Sequence, residues 1–396
     1  MFSFFRRPNN SFPLNVSKYV ITCNQKNIEL PLFEEFHDEI YVSNPTDFEY
    51  AFILDWPNHQ YTLIAEPTRA ILGPHTGVSI GITLKFLCST KNYLPIKLYC
   101  SEGESVDKQA PQFTTQIKFG IIAQESVVFD VETITKFDTI KTANSGEVST
   151  ALFNGKDVIM KHFNIDWSSE AREMFAKAAK ELADIQCPQL IKVIGATVAP
   201  GREAFIIEYA KFGNIATCYR REDLPIKWIK KAFNDVMTAI KYLHDNNKVH
   251  GDIKPQNLLV FSLNKKDDVV CKLSDYWNIQ QITGVSSDII TDDEMISVAI
   301  FQAPEVLKGK EPTKSSDIYS LGMCLLEIFQ QHEIYQDKPF VNGWDAAVQV
   351  AKGKRPNFDT DFNEQIASII KQCWQQDKDE RPSIDEVINQ FQSIKF

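Results

Sequence analysis

The first third of the chain alternates apolar and polar residues with a period of two. Val78-Ser79-Ile80-Gly81-Ile82-Thr83-Leu84 is the clearest case. Such alternation puts one face of a strand in a core and the other in water. Short β-rich runs recur at 19–22, 28–32, 39–42, 50–54, 61–65, 78–86, 96–99 and 112–121. Asn44-Pro45, Trp56-Pro57, Glu66-Pro67 and Gly73-Pro74-His75-Thr76-Gly77 supply turn signals between several of them. The spacing predicts an all-β domain over 14–124, preceded by a loose tail at 1–13 and followed by a linker at 125–136. Beyond the linker the period changes. Residues 168–187 read as an amphipathic helix. Ser168 or Ser169 caps it, Glu170 sits in its first turn, and Phe175, Ala178, Leu182 and Ile185 form its apolar stripe. Ala239-Ile240-Lys241-Tyr242-Leu243 and the run opened by Ser316-Asp317-Ile318-Tyr319-Ser320-Leu321-Gly322 predict further apolar helices. These helices set the later part of the chain apart from the all-β first third.

Composition narrows the function classes. At 396 residues with 43% apolar content, the chain has material for two or three cored domains. A net charge of -10 argues against a general nucleic-acid or anionic-membrane binder. The eight cysteines show no CxxC pair or metal-ligand spacing, which fits reduced cytoplasmic thiols. No apolar run is long enough to span a bilayer. Met1-Phe2-Ser3-Phe4-Phe5-Arg6-Arg7-Pro8 lacks the long apolar core of a signal peptide.

The chemistry concentrates in Val249-His250-Gly251-Asp252-Ile253-Lys254-Pro255-Gln256-Asn257-Leu258-Leu259, followed by Leu273-Ser274-Asp275-Tyr276-Trp277. Phosphoryl transfer needs a carboxylate near the attacking hydroxyl, a cation near the moving phosphate and two metal ligands. Asp252, Lys254, Asn257 and Asp275 have those types in that order. The two stretches resemble the catalytic and metal-binding loops of a eukaryotic protein kinase, with the Lys-Pro of serine/threonine kinases. His250 reads as a packing residue. The resemblance implies a bilobal α+β kinase domain from about Phe137 onward that uses ATP and Mg²⁺, with Mn²⁺ as an alternative. It assigns catalysis to Asp252 and Lys254, and the metal to Asn257 and Asp275. ATP contact falls to Gly146, Val148, Lys161, Glu208, Ala210 and Leu259. Asp317 would hold the catalytic-loop backbone, and Glu305 and Arg381 would form a buried ion pair. Lys352-Gly353-Lys354-Arg355-Pro356, Cys373-Trp374 and Asp379-Glu380-Arg381-Pro382-Ser383 are similar to the tyrosine-kinase-like group.

The chain departs from the kinase pattern at several points. Lys141 and Ala143 stand where two loop glycines are usual, leaving Gly146. Ile159 replaces a small residue over the adenine, a change worth about 1–3 kcal/mol where the site cannot relax. Ala178 occupies the place of the helix Glu, with Glu181 about 4.5 Å further along the axis. Gly251 stands where many kinases carry an Arg, Trp277 replaces a glycine, and Val298 replaces a threonine. The segment 278–302, which ends before Ala303-Pro304-Glu305, resembles an activation loop. It offers Thr283, Ser286, Ser287, Thr291 and Ser297 as phosphosites beside Asp288, Asp292, Asp293 and Glu294. Without the Arg, a negatively charged loop lacks its usual partner.

The first domain reads as an immunoglobulin-like sandwich. Ile40–Thr46, Ala51–Leu54, Glu66-Pro67 and Gly73–Gly77 resemble the major sperm protein type. Nothing in it looks catalytic, so its two readings are a protein-interaction or dimerisation module and a spacer. Two classes stay open for the whole chain. One is a divergent serine/threonine kinase with protein substrates, since every polar residue of the chemistry is retained. The other is a pseudokinase that docks partners, since nucleotide fit and conformational control are altered.

Overall fold

The structure is a computed structural model. It describes residues 12–23, 29–90, 93–143, 146–165, 167–221, 224–277, 296, 298–335 and 340–395. The chain forms two compact units. The first runs to Thr139 and includes Val148–Ala183 and Ile194–Ile206. The second comprises Ile140–Glu147, Asp184–Val193 and Ile207–Phe396.

The first unit begins with eleven strands. They are β1 (Asn15–Val16), β2 (Val20–Ile21), β3 (Glu29–Leu30), β4 (Phe36–Ser43), β5 (Tyr50–Asp55), β6 (Tyr61–Glu66), β7 (Arg69–Leu72), β8 (Gly77–Phe86), β9 (Ile96–Glu102), β10 (Phe113–Phe119) and β11 (Ile122–Ala123). One sheet has the order β1-β4-β8-β6 and another β2-β10-β9-β5-β7, and β11 pairs with β3. Register follows the alternation. Ile40 faces Ile80 and Val42 faces Val78, so apolar side chains of β4 and β8 share one face. Those residues, with Leu54, Leu63, Leu84, Leu98 and Ile117 among others, form one core between the sheets. Phe12 and Leu14 are also buried in it. The sequence reading left Phe12 in the tail, because one aromatic before a proline carries no period. β7 escaped the reading for a similar reason, since only Leu72 of its four residues is buried.

The expected linker is packed structure. Ser89 N donates to Val128 O at 2.9 Å, Phe129 N to Ala196 O at 2.8 Å and Ala196 N to Val127 O at 2.9 Å. Asp130 caps a short 3₁₀ turn, Val131–Thr133, by accepting from Glu132 N. A five-stranded sheet follows, built from β12 (Ile134–Ala143), β13 (Gly146–Phe153), β14 (Lys156–Phe163), β15 (Val193–Thr197) and β16 (Ala204–Glu208), in the order β12-β13-β14-β16-β15. Helix α1 spans Ser169–Ala183. Its buried stripe is Ala171, Phe175, Ala179 and Leu182, with Ala176. The expected helix thus stops four residues early and turns slightly, leaving Ile185 outside it. Pro188 disfavours helix in the residue before it, and Gln189 and Ile191 are used instead to pair with Leu273.

The second unit is mainly helical. It contains α2 (Ile215–Tyr219), α3 (Ile226–Asp245), β17 (Leu258–Val260), β18 (Cys271–Leu273), α4 (Pro304–Leu307), α5 (Lys314–Gln330), α6 (Gly343–Ala351), α7 (Glu364–Cys373) and α8 (Ile384–Ser393). Helix α5 is buried on nearly every side from Ser316 to Ile328, as expected for a helix without a polar face. α3, α7 and the 3₁₀ turn Lys378–Glu380 pack against it. Among the described residues, no helix is long and apolar enough to cross a membrane.

Candidate functional site

The second unit gathers Asp252, Lys254 and Asn257 on one loop. That loop has no regular ladder, so its backbone groups need side-chain partners. Asp317, at 1% exposure, supplies them from the first turn of α5. Its carboxylate accepts from His250 N at 2.9 Å and from Gly251 N at 2.8 Å. It also meets His244 Nε2 at 2.9 Å. Gly251 takes φ 77°, which a residue without Cβ adopts freely. His250 is buried, and its ring reaches Ser274 O at 2.8 Å. That contact ties the loop to the residue before Asp275.

Two side chains converge on Asp252. Lys254 Nζ lies 2.8 Å from its Oδ2. Asn257 Nδ2 donates to the same Oδ2 at 2.9 Å and to Asp252 O at 2.7 Å. The Asp252 side chain is 40% exposed. Asn257 O in turn accepts from Ser274 N at 2.9 Å and from Ser274 Oγ at 3.1 Å. Asp275 follows with φ 61°, and Tyr276 donates from its hydroxyl to Ile191 O at 3.0 Å. Burial holds the Tyr276 phenol well above its ordinary pKa, with Glu208 adding to it. Trp277 is buried as well, edge-on to Tyr276 at 5.1 Å between ring centroids.

The remaining expected contact residues sit on other elements. Glu208 ends β16. Its carboxylate accepts from Lys192 N at 2.7 Å and pairs with Lys272 Nζ at 2.6 Å. Lys272 is the register partner of Leu259 in the β17–β18 pair. Ala210 O accepts from Gly213 N at 3.1 Å just beyond. Gly146 opens β13, and Val148 is half-buried on the same strand. Lys161, on β14 of the first unit, has its Nζ 6.0 Å from the Phe163 ring centroid. Ile159 on the same strand is 8% exposed. On α1, Ala178 is half-buried and Glu181 exposed. Thr283, Ser286, Ser287, Thr291 and Ser297, with the acids at 288, 292, 293 and 294, lie outside the described residues.

Two ion pairs brace the surrounding framework. Arg381 donates to Glu305 through two nitrogens, at 2.7 and 2.8 Å. Burial alone would raise the Glu305 carboxyl, but Arg381 outweighs it and holds the pKa below its ordinary value. Sequence reasoning missed the other, which centres on Asp235. This 3%-exposed carboxylate accepts from Val270 N at 2.8 Å and Cys271 N at 3.3 Å, and pairs with Lys231 at 2.6 Å. It fixes the start of β18 and so the approach to Asp275. A signal was present. Asp235 sits on a buried helix face among Ala232, Phe233, Val236 and Ala239, where an unpaired carboxylate would be costly.

Comparison with known proteins bears on the family. The model of the protein tyrosine and serine/threonine kinase family matches residues 134–391. Probable serine/threonine-protein kinase gdt2 of Dictyostelium discoideum is 25% identical over 94% of this chain and 22% of its own length. Probable serine/threonine-protein kinase gdt8 of the same organism is 26% identical over 97% of this chain and 29% of its own. Dual specificity protein kinase shkC, also from Dictyostelium discoideum, is 26% identical over 65% of this chain and 50% of its own. The first two alignments extend well beyond the kinase region, and the chain spans under a third of the length of either relative. With the family model covering most of its length, the chain belongs to the protein tyrosine and serine/threonine kinase family.

Proposed function

We propose that the chain is an ATP-dependent, divergent serine/threonine protein kinase that phosphorylates protein hydroxyls in cytoplasmic signalling. One observation carries the reading. Lys254 and Asn257 both reach the same partly exposed oxygen of Asp252, on a loop whose backbone is pinned by a buried carboxylate. In this reading Asp252 orients the substrate hydroxyl and takes its proton. Lys254, held at the same carboxylate, offsets charge on the moving phosphoryl group. The chemistry of the donors fits Mg²⁺, a hard cation that takes one or two carboxylates beside substrate phosphates. The Asn257 Nδ2 is spent on Asp252, so its amide oxygen remains for a cation, and Asp275 supplies the carboxylate. Bound metal would neutralise phosphate charge. Gly146, Val148, Lys161, Glu208, Ala210 and Leu259 are proposed to contact ATP.

The finer assignments are proposals of the same kind. The C-terminal motifs support membership of the tyrosine-kinase-like group, with a kinase domain at 137–396. The 14–124 domain is read as an immunoglobulin-like sandwich of major sperm protein type. In support, the strand orders β1-β4-β8-β6 and β10-β9-β5 are those of the ABED and GFC sheets of such a sandwich, with β2 and β7 added at the edges of the second. Its proposed role is to bind a protein partner. A second reading, a pseudokinase, is favoured by the buried Ile159 and Trp277.

Transfer of label from γ-³²P-ATP to a generic protein substrate tests the proposal. Asp252→Asn should lower the rate about 10²- to 10⁴-fold. Equal signal from both proteins would remove the kinase reading. Phosphoamino-acid analysis of the product should return phosphoserine and phosphothreonine.

A further inference from the structure

The first unit contains a seam that its expected role as a linker does not explain. Residues 127–129 run as a short strand with partners on both sides. Ser89, just past β8, bridges to Phe129, and Val128 bridges to Ala196 on β15. The fit is close on the β15 side. A Cβ on Gly195 would lie 2.1 Å from Val127 O. Phe129 then packs on the core of the β12–β16 sheet, its ring 4.6 Å from that of Phe153. A buried polar clasp follows. Gln60 Nε2 donates to Asp130 Oδ2 at 2.6 Å, and Gln60 Oε1 accepts from Leu94 N at 2.7 Å. Gln60 and Asp130 are 3% and 5% exposed. Arg202, on the turn before β16, pairs with Glu132 at 2.8 Å.

The seam reaches α1 through charge. Lys85 of β8 lies 3.3 Å from Glu173 on α1 and 3.8 Å from Glu35. The neighbouring Arg172 pairs with the buried Glu203 at 2.7 Å. Trp167, Phe175 and Phe205 pack beneath, with Phe175 and Phe205 ring centroids 4.3 Å apart. The helix is therefore held by the β12–β16 sheet on one side and by a sandwich residue on the other.

We propose that Lys85 is a positioning residue acting in cis. The two-sheet domain, spliced to β15 through 127–129, sets the placement of α1, so that a ligand or partner on the sandwich is felt at the helix. Its consequence for ATP rests on the kinase reading, whereas the mechanical coupling does not. The test uses the full chain with Lys85→Glu, Glu173→Lys and the double exchange, chosen because the pair lies at the surface and the fold should survive. Hydrogen–deuterium exchange over 169–183 is the primary readout. Exchange in the first half of α1 should rise about two- to fivefold in Lys85→Glu, the range of an exposed ion pair. It should return toward the original value in the double exchange, with the melting temperature nearly constant throughout. KM for ATP should rise by a similar factor with kcat little changed. Faster α1 exchange in a protein without transfer activity supports the coupling and removes the kinase reading alone. Unchanged α1 exchange in Lys85→Glu, or a rise that the double exchange does not reverse, overturns the proposal.

Discussion

The two units hold irregular backbone by different means. In the first, segment 127–129 is held as a strand, by backbone bonds to Ser89 and Ala196 and an aromatic side chain set into a core. In the second, the segments at 250–252 and 270–271 are held by single buried carboxylates, Asp317 and Asp235, that collect amide protons. The difference follows from what each segment presents. A strand satisfies its backbone through neighbours and leaves side chains for packing. A loop that turns its side chains toward chemistry must have its backbone satisfied from elsewhere, and a carboxylate can accept several amide bonds at once. The cost is that each carboxylate is a point of failure, because losing it orphans several buried groups together.

That contrast can be tested from its strongest element downward. Arg381→Leu leaves Glu305 buried without its partner and should cost about 3–5 kcal/mol, read by urea denaturation. The pH dependence should change with it. Because Arg381 lowers the Glu305 pKa in the folded protein, the pair stabilises above the ordinary carboxylate range. That stability is lost as pH falls through the lowered folded value. The variant should therefore lose less stability on acidification than the parent. Gly195→Val attacks the packed seam and should cost about 1–3 kcal/mol by overpacking, with exchange rising in 193–197 and 127–129 together. Melting that leaves 127–129 protected would show that the seam is not shared. Gly251→Ala forces a Cβ into φ 77° and should cost about 1–2 kcal/mol in stability. His332→Gln should have the smallest effect. Burial opposes the charged ring, but contacts with Glu333 O and Asp359 raise its pKa. Its contribution is complete below the unfolded pKa and fades as pH rises through the folded one. Solvent screening limits it to about 0.5 kcal/mol, visible as a melting-temperature difference that shrinks between pH 6 and 8.

Legibility followed distance along the chain. The alternation of 78–84 announced β8, and the His250-Gly251-Asp252 stretch announced the kinase family that covers 134–391. Both signals are local. The end of α1 was overrun because Asp184–Gln186 continues a passable helical pattern, and Pro188 together with pairing of 189–191 with Leu273 stops it. The residues 125–136 looked like a spacer because no period of two extends through them. Their order comes from Ser89, Gln60 and Ala196, each tens of residues away. Asp235 carried a legible oddity, a carboxylate on an apolar face, without any hint of which amides it serves.

The sequence by itself determined the longer strands and helices and the family of residues 134–391, because side-chain period and motif order are written in neighbouring residues. Tertiary structure alone decided what each buried polar group is paired with, that Phe12 belongs to a core, and that the segment between the two domains is part of a wall. Those outcomes depend on desolvation, and a group's solvent exposure is set by chain that folds over it from far away.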